Sequence, residues 1–461
     1  MRLRATVPVL ALLAALALAN LQEPFVPAVL PGGPSERMPL VDQQSREAFV
    51  SGRVLVRFKS WAAPGAVLAR SGISSGLTGR LSPPPPVILP VTPGEEAQTI
   101  ESLKHNPAVD YAELDYSARS ESVPNSAPDP GGAWNLSTIR APAAWASVGL
   151  SPAPTIAILD TGVDPSHPDL QGRILPGYDF ANEDDDPSDD NGHGTHVAGI
   201  AAASINEAAG VAGISQESGI MPLKVLDSQE MGSVSSLARA IVWATDRGAR
   251  IVNLSLGVPR SSRTLEEAVR YARDRGVLLI AAAGNSYNGP NAPIYPAAYP
   301  EVIAVAATTS TDGHASYSSA GPYVDLAAPG GDPEGSQDST PENWITSTYW
   351  TEGRSSYGRL SGTSQAAAHV AGVAALVFAA NPNLTNDEVE GILEATALDL
   401  GAPGKDSVYG HGRIDAQAAV TAAKMTPGSR TPGSSAGVAI ATVGAYRSYV
   451  PLAARGFPGT W

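Results

Sequence analysis

Between residues 134 and 423 the chain alternates strand-like apolar runs with stretches of helical spacing. The runs 155–160, 221–226, 250–256, 277–283, 302–307 and 323–327 have the length of strands and are rich in Ile, Val, Leu and Ala. They lack a strict polar–apolar alternation, the mark of strands buried on both faces. The stretches 234–247 and 265–275 between them read as helices. Strands joined by helical crossovers predict an α/β fold, a mostly parallel central sheet with helices on both faces. Ligand sites in such sheets lie at the carboxyl ends of strands, and Asp160 and Asn285 stand at two such ends.

A smaller pattern precedes this one. Residues 53–58 alternate like a strand, 95–105 read as a short amphipathic helix, and 106–115 as a turn followed by a strand. They predict a small α+β domain over residues 51–119, preceded by a Pro-rich linker over 20–50. At the start of the chain, Arg2 and Arg4 precede an apolar run at 7–18 and the small-residue pattern Ala17-Leu18-Ala19. This predicts a secretory signal peptide over 1–19, too short to span a membrane comfortably. No later segment reads as apolar enough to cross one. From 424 to 461 the composition turns to Thr, Pro, Gly and Ser, a linker ending in a short apolar and basic tail. That tail reads either as a surface-retention signal or as disordered chain.

Composition narrows the partners. The 461 residues carry a formal net charge of −15 and no cysteine. The acidic balance argues against a nucleic-acid partner, and the missing thiols exclude disulfides and cysteine chemistry.

The candidate chemistry begins at Gly362-Thr363-Ser364, which opens a run of Ala and Val with good helix propensity. A serine hydroxyl is a weak nucleophile and needs a general base, itself oriented by an acid. Upstream, Leu159-Asp160-Thr161-Gly162 ends an apolar run with an acid, and Asn191-Gly192-His193-Gly194-Thr195-His196 offers a base. Asp160, His193 and Ser364, in that order and with these surrounds, resemble the subtilisin-type serine proteases (subtilases), thermitase-like members above all. The resemblance covers the whole of 134–423. It implies a subtilisin-like fold, an Asp–His–Ser triad and an oxyanion-binding Asn285 at the end of Ala281-Ala282-Ala283-Gly284-Asn285. It also implies that the block at 51–119 is an inhibitory propeptide, cut away somewhere between 116 and 133.

The same resemblance implies an extended substrate cleft for protein or peptide substrates. Ser255, Leu256 and Gly257 would pair with the substrate backbone, and Gly232 would form the opposite wall. Ala282, Ala283 and Gly284 would line the main pocket, with Ile294 at its floor and Ser286 where an acid can stand. Apolar or uncharged residues, and not large aromatic ones, are expected before the scissile bond. Calcium is the implied cofactor. One site falls in the acidic loop with Asp179, Asn182, Asp184 and Asp186, and a second takes Asp169 with Ile205, Glu207, Ala209 and Val211. His196 and His369 are expected to be structural, His167 a turn residue, and His314 and His411 surface residues. Gln365 stands where the family carries methionine, and Ala368 where it carries proline. Residues 330–344 form a polar insertion. The expectation is a secreted, calcium-stabilised endopeptidase made as a zymogen. Two rivals are a catalytically impaired binding protein of the same fold and an exopeptidase or esterase using the same triad.

Overall fold

A computed structural model describes residues 49–59, 86–121, 123–125, 133–148, 153–204, 210–333 and 343–429. The signal peptide, most of the linker at 20–50 and the tail beyond 429 lie outside the described residues.

The first elements are β1 (Phe49–Phe58), β2 (Val87–Pro90), α1 (Glu96–Lys104), β3 (Val109–Ser120) and β4 (Val123–Asn125). β1 pairs antiparallel with both β2 and β3. Val54, Val56, Phe58 and Leu89 bury one face of this small sheet against Leu103 of α1. Burial of each such side chain contributes about 1.5–3 kcal/mol. β3 runs past the turn–strand expected at 106–115, as far as Ser120.

There follow α2 (Trp134–Thr138), α3 (Ala141–Val148), β5 (Ile156–Asp160), β6 (Tyr178–Asp179), α4 (His193–Ala202), β7 (Ile220–Lys224), β8 (Met231–Ser233), α5 (Val234–Asp246), β9 (Ile251–Leu254), β10 (Leu256–Gly257), α6 (Arg263–Arg273), β11 (Leu278–Ala282), β12 (Val302–Thr308) and β13 (Leu326–Pro329). The chain then passes through β14 (Ile345–Thr351), β15 (Arg354–Ser361), α7 (Thr363–Ala380), α8 (Asn386–Thr396) and α9 (Ala416–Met425). Seven strands form a parallel sheet in the order β13-β12-β11-β9-β5-β7-β6. Alternate residues of β5 serve two cores. Ile156 and Ile158 pack with α4 and α7, whereas Ala157 and Leu159 pack with α5 and α6. This two-sided burial is why the strands read as continuous apolar runs.

Residues 345–361 form an antiparallel hairpin that turns at Glu352-Gly353, both at positive φ. One expectation fails. α7 is long and apolar enough to cross a membrane, against the expectation that no segment would be, but 94% of it is buried inside the fold.

Candidate active site

α4 and β5 place the acid and the base side by side. His193 opens α4 and donates from Nδ1 to Asp160 Oδ1 at 2.6 Å, with both side chains buried. The approach depends on Gly194, where a Cβ would stand 2.1 Å from the Gly162 carbonyl oxygen and 3.0 Å from Asp160 Cβ. Burial alone would lower the His193 pKa. The Asp160 charge and hydrogen bond outweigh it and lift the imidazole to about 9.

Two residues that the motif reading missed hold this pair. Asp189 accepts hydrogen bonds from Thr161 Oγ1, from the Asn191 and Gly192 amides, and from Thr195 N and Oγ1, tying the acid's turn to the start of α4. Buried Lys224 donates to the carbonyls of Thr161 and Leu226 and to Asp190 Oδ1. A lone lysine ending an apolar strand was the signal for the second, since a buried ammonium needs such partners.

Ser364 lies at the start of α7. Its hydroxyl donates to the Ser255 carbonyl at 2.9 Å, and no hydrogen bond joins it to His193 Nε2, which makes none among the described residues. The nucleophile–base contact expected from the motif is therefore not made in this rotamer. Asn285 Oδ1 accepts from Thr363 N and Oγ1, which orients the side-chain amide next to the serine.

The cleft is occupied by the chain itself. β3 lies between β10 and β8 as an added antiparallel strand. Ser120 pairs with Leu256, Arg119 with Gly257 and also Met231, Ala118 with Gly232, and Ser117 with Ser233. This brings together Ser255, Leu256, Gly257 and Gly232, all expected at a substrate strand. Glu121 continues the strand. Its N–H donates to the Ser255 carbonyl at 3.3 Å and to Ser364 Oγ at 3.2 Å, and its carbonyl accepts from Ser364 N at 3.1 Å. Beyond it, β4 pairs with β15, Val123 opposite Ser361. The chain thus enters on one side of Ser364 and leaves on the other.

The Glu121 side chain enters the pocket expected from Ala282, Ala283, Gly284 and Ile294. Oε2 accepts from Asn285 N at 3.0 Å. A Cβ on Gly257 would stand 3.0 Å from Glu121 Oε1 and 2.4 Å from Ile294 Cδ1, and one on Gly284 would stand 3.1 Å from the same methyl. An acidic side chain thus stands where an apolar or uncharged one was expected. Ser286, beside the pocket, is held by Ser319 Oγ.

The remaining histidines sort by their partners. His196 Nε2 meets the Ile345 carbonyl, and burial lowers its pKa to about 3. His369 bridges Asn135 Nδ2 and the Gln365 carbonyl, and burial lowers it to about 4. His167 sits in its turn but is buried against the Ser356 carbonyl. His314, expected at the surface, is half-buried edge-on to Tyr287 and Tyr409, and His411 is half-buried near Glu394. Gln365 is fully buried, with neither amide atom hydrogen-bonded. With Ala368 in place, α7 is regular from Thr363 onward.

The two expected metal loops differ. Asp179 spends its carboxylate on Ala181 N, Asn182 N and Asn182 Nδ2, while Asp184 and Asp186 accept from their own turns. Among the described residues no three acidic or histidine side chains converge. Asp184 and Asp186 use only Oδ1 in these turns, so each keeps a second carboxylate oxygen of the kind a calcium ion takes. Ile205, Glu207 and Ala209 lie outside the described residues. Asp169 is buried and accepts from Val211 N and Tyr357 OH. The loop reaches it because residue 210 is glycine, where a Cβ would stand 2.6 Å from Asp169 Oδ2. A buried carboxylate cradled by backbone fits a hard cation.

Comparison with known proteins agrees with this geometry. Residues 151–412 match the model of the subtilase family. The chain is 41% identical over 328 residues to a thermophilic serine proteinase of Bacillus sp. (strain AK1), covering 71% of this chain and 77% of that protein. It is 42% identical to thermitase of Thermoactinomyces vulgaris over 61% of this chain and 93% of that one. The solved structure of fervidolysin from Fervidobacterium pennivorans, a keratinolytic enzyme related to subtilisin, superposes with a TM-score of 0.68 at 26% identity. It covers 82% of this chain, which spans 62% of that protein.

Proposed function

The chain belongs to the subtilase family and is a serine endopeptidase, and we propose that it is exported and made as a zymogen that processes itself. Residues 1–19 are its signal peptide. The α+β unit that starts near residue 51 and ends in β3 is its inhibitory propeptide, and 134–423 is the catalytic domain. The observation that carries this reading is β3 lying in the cleft as a substrate strand, with the Glu121 carbonyl on Ser364 N.

In this mechanism Ser364 rotates from the Ser255 carbonyl to His193 Nε2, a change of one side-chain rotamer. Its Oγ attacks the substrate carbonyl while His193 takes the proton. Asp160 holds the imidazole tautomer through Nδ1 and stabilises the imidazolium. Ser364 N and the Asn285 side-chain amide receive the oxyanion. His193 returns the proton to the leaving amine, and water then cleaves the acyl-enzyme by the same route. Substrate lies where β3 lies, paired to Ser255, Leu256, Gly257 and Gly232.

Calcium would be held at the acidic loop by Asp179, Asn182, Asp184 and Asp186, and at the second loop by Asp169 with Ile205, Glu207, Ala209 and Val211. Bound there, it supplies a cross-link between loops and takes no part in the reaction.

The test is to express residues 20–461 beside Ser364→Ala and to follow size and casein hydrolysis. The wild type is expected to trim itself and digest casein, while the alanine variant stays full length and inert. Two full-length, folded and inert proteins would favour a binding protein of the same fold.

A further inference from the structure

Resting on that reading, we infer that the chain makes its first cut at the peptide bond after Glu121, and that the pocket beside Ser364 takes this glutamate side chain in its uncharged form. The register leaves one carbonyl for attack. The Glu121 carbonyl, directly after β3, accepts from Ser364 N, while the Glu121 N–H lies against Ser364 Oγ and the Ser255 carbonyl. Pairing continues on both sides of it, with Gly257 at Arg119 and with Ser361 at Val123.

The pocket chemistry argues for the second half. The carboxyl group lies against Gly257, which also faces Ile294, and takes a hydrogen bond from Asn285 N, with Ser319 Oγ beside the neighbouring Gly284. Among the described residues no ion pair reaches Glu121; its carboxylate is met by the Asn285 amide. The charged and titratable groups that face it are Arg119 of its own strand, His193 of α4 and Tyr323. Beside it, Ser120 Oγ bonds to Glu230, which adds a further negative charge near the cleft. Burial with one neutral donor pushes the Glu121 carboxyl up to about 7, against the lowering from Asn285 N, Arg119 and His193. An ionised glutamate would enter this pocket at a cost that an amide of the same shape avoids.

The step balances as a hydrolysis. Ser364 Oγ bonds to the Glu121 carbonyl carbon and its proton passes through His193 to the leaving nitrogen as the C–N bond breaks. Water then releases the Glu121 carboxylate and restores Ser364.

The experiment follows residues 20–461 of wild type and Glu121→Gln at pH 6 and pH 8. Intact-mass analysis is taken at the earliest times, before later trimming, with Ser364→Ala as control. The N-terminal fragment is expected to end at residue 121. With a group titrating at about 7, only about one molecule in ten is uncharged at pH 8. The rate ratio of Glu121→Gln to wild type is therefore expected near one at pH 6 and about tenfold higher at pH 8. Taking the ratio removes the His193 titration that both proteins share and leaves the effect of the Glu121 charge, its pull on His193 included. A first fragment ending elsewhere, or a ratio that does not change with pH, overturns the inference. Casein hydrolysis by the same samples separates the two readings, since an active enzyme that first cuts elsewhere keeps its endopeptidase assignment. An inert wild type would end both.

Discussion

At the scale of single residues, the site is governed by what burial does to charge. In the proposed mechanism His193 must be neutral to accept the serine proton, and the charge of the buried Asp160 carboxylate raises the imidazole pKa above its ordinary value. Activity is lost as pH falls through that pKa. The kcat/KM of the active enzyme is expected to rise with pH from pH 6 upward, read from a pH–rate profile on an uncharged peptide. A profile already flat at pH 6 would contradict it. Gln365 poses the opposite problem, a buried amide with no partner, which costs about 1–3 kcal/mol. Its thioether counterpart would be oxidisable, whereas the amide is not. Wild-type activity is expected to survive peroxide. Gln365→Met is expected to raise the melting temperature and to lose activity in the same peroxide.

Elements meet at this site through small residues. α4 can lie against the end of β5 because residue 194 has no side chain. Gly194→Ala is expected to push the helix away, since the opposing atom is a backbone oxygen that cannot yield. A displacement of the order of 1 Å at such a pair costs about 10²-fold in rate. The check is kcat beside a thermal melt, and an alanine variant with native kcat would show that the approach is not needed. The β14–β15 hairpin belongs to this scale too. Thr348 and Ser347 bond to carbonyls of α4, and β15 receives β4. Its Glu-Gly turn between alternating residues was a readable signal, obscured by the polar insertion before it.

Across the whole molecule, two carboxylates of β3 tie the N-terminal unit to the catalytic sheet. Asp115 bonds to Ser235 N and Oγ at the start of α5 and to Arg53, and Glu113 bonds to Ser262 Oγ and the amides of Arg263 and Thr264 at the start of α6. Both sites join a negative charge to unpaired helix N–H groups. In the Ser364→Ala background, the double change Glu113→Gln and Asp115→Asn is expected to weaken docking by about 1–3 kcal/mol. Limited proteolysis would then remove the N-terminal unit faster, and an unchanged digestion rate would refute the role. The calcium proposed at Asp169 would act at the same scale. A chelator is expected to lower the melting temperature of wild type and to have little effect on Asp169→Asn, which starts lower. An equal chelator shift in both would place the cation elsewhere.

Sheet strands, the crossover helices and the motif residues Asp160, His193, Asn285 and Ser364 were legible in the chain because each is encoded locally, by an apolar run and the turn that ends it. The same local reading named Ser255-Leu256-Gly257 and Ile294, and the structure brings them beside β3 and Glu121. It did not find Asp189 or Lys224, whose roles come from partners that only folding brings near. By itself, then, the sequence determined the sheet, the order of the reacting groups and the shape of the cleft, since periodicity and motif are properties of neighbours along the chain. Tertiary structure alone decided which backbone carbonyl lies on Ser364 and that a glutamate fills the pocket, because both depend on the register of one strand against two others distant in sequence.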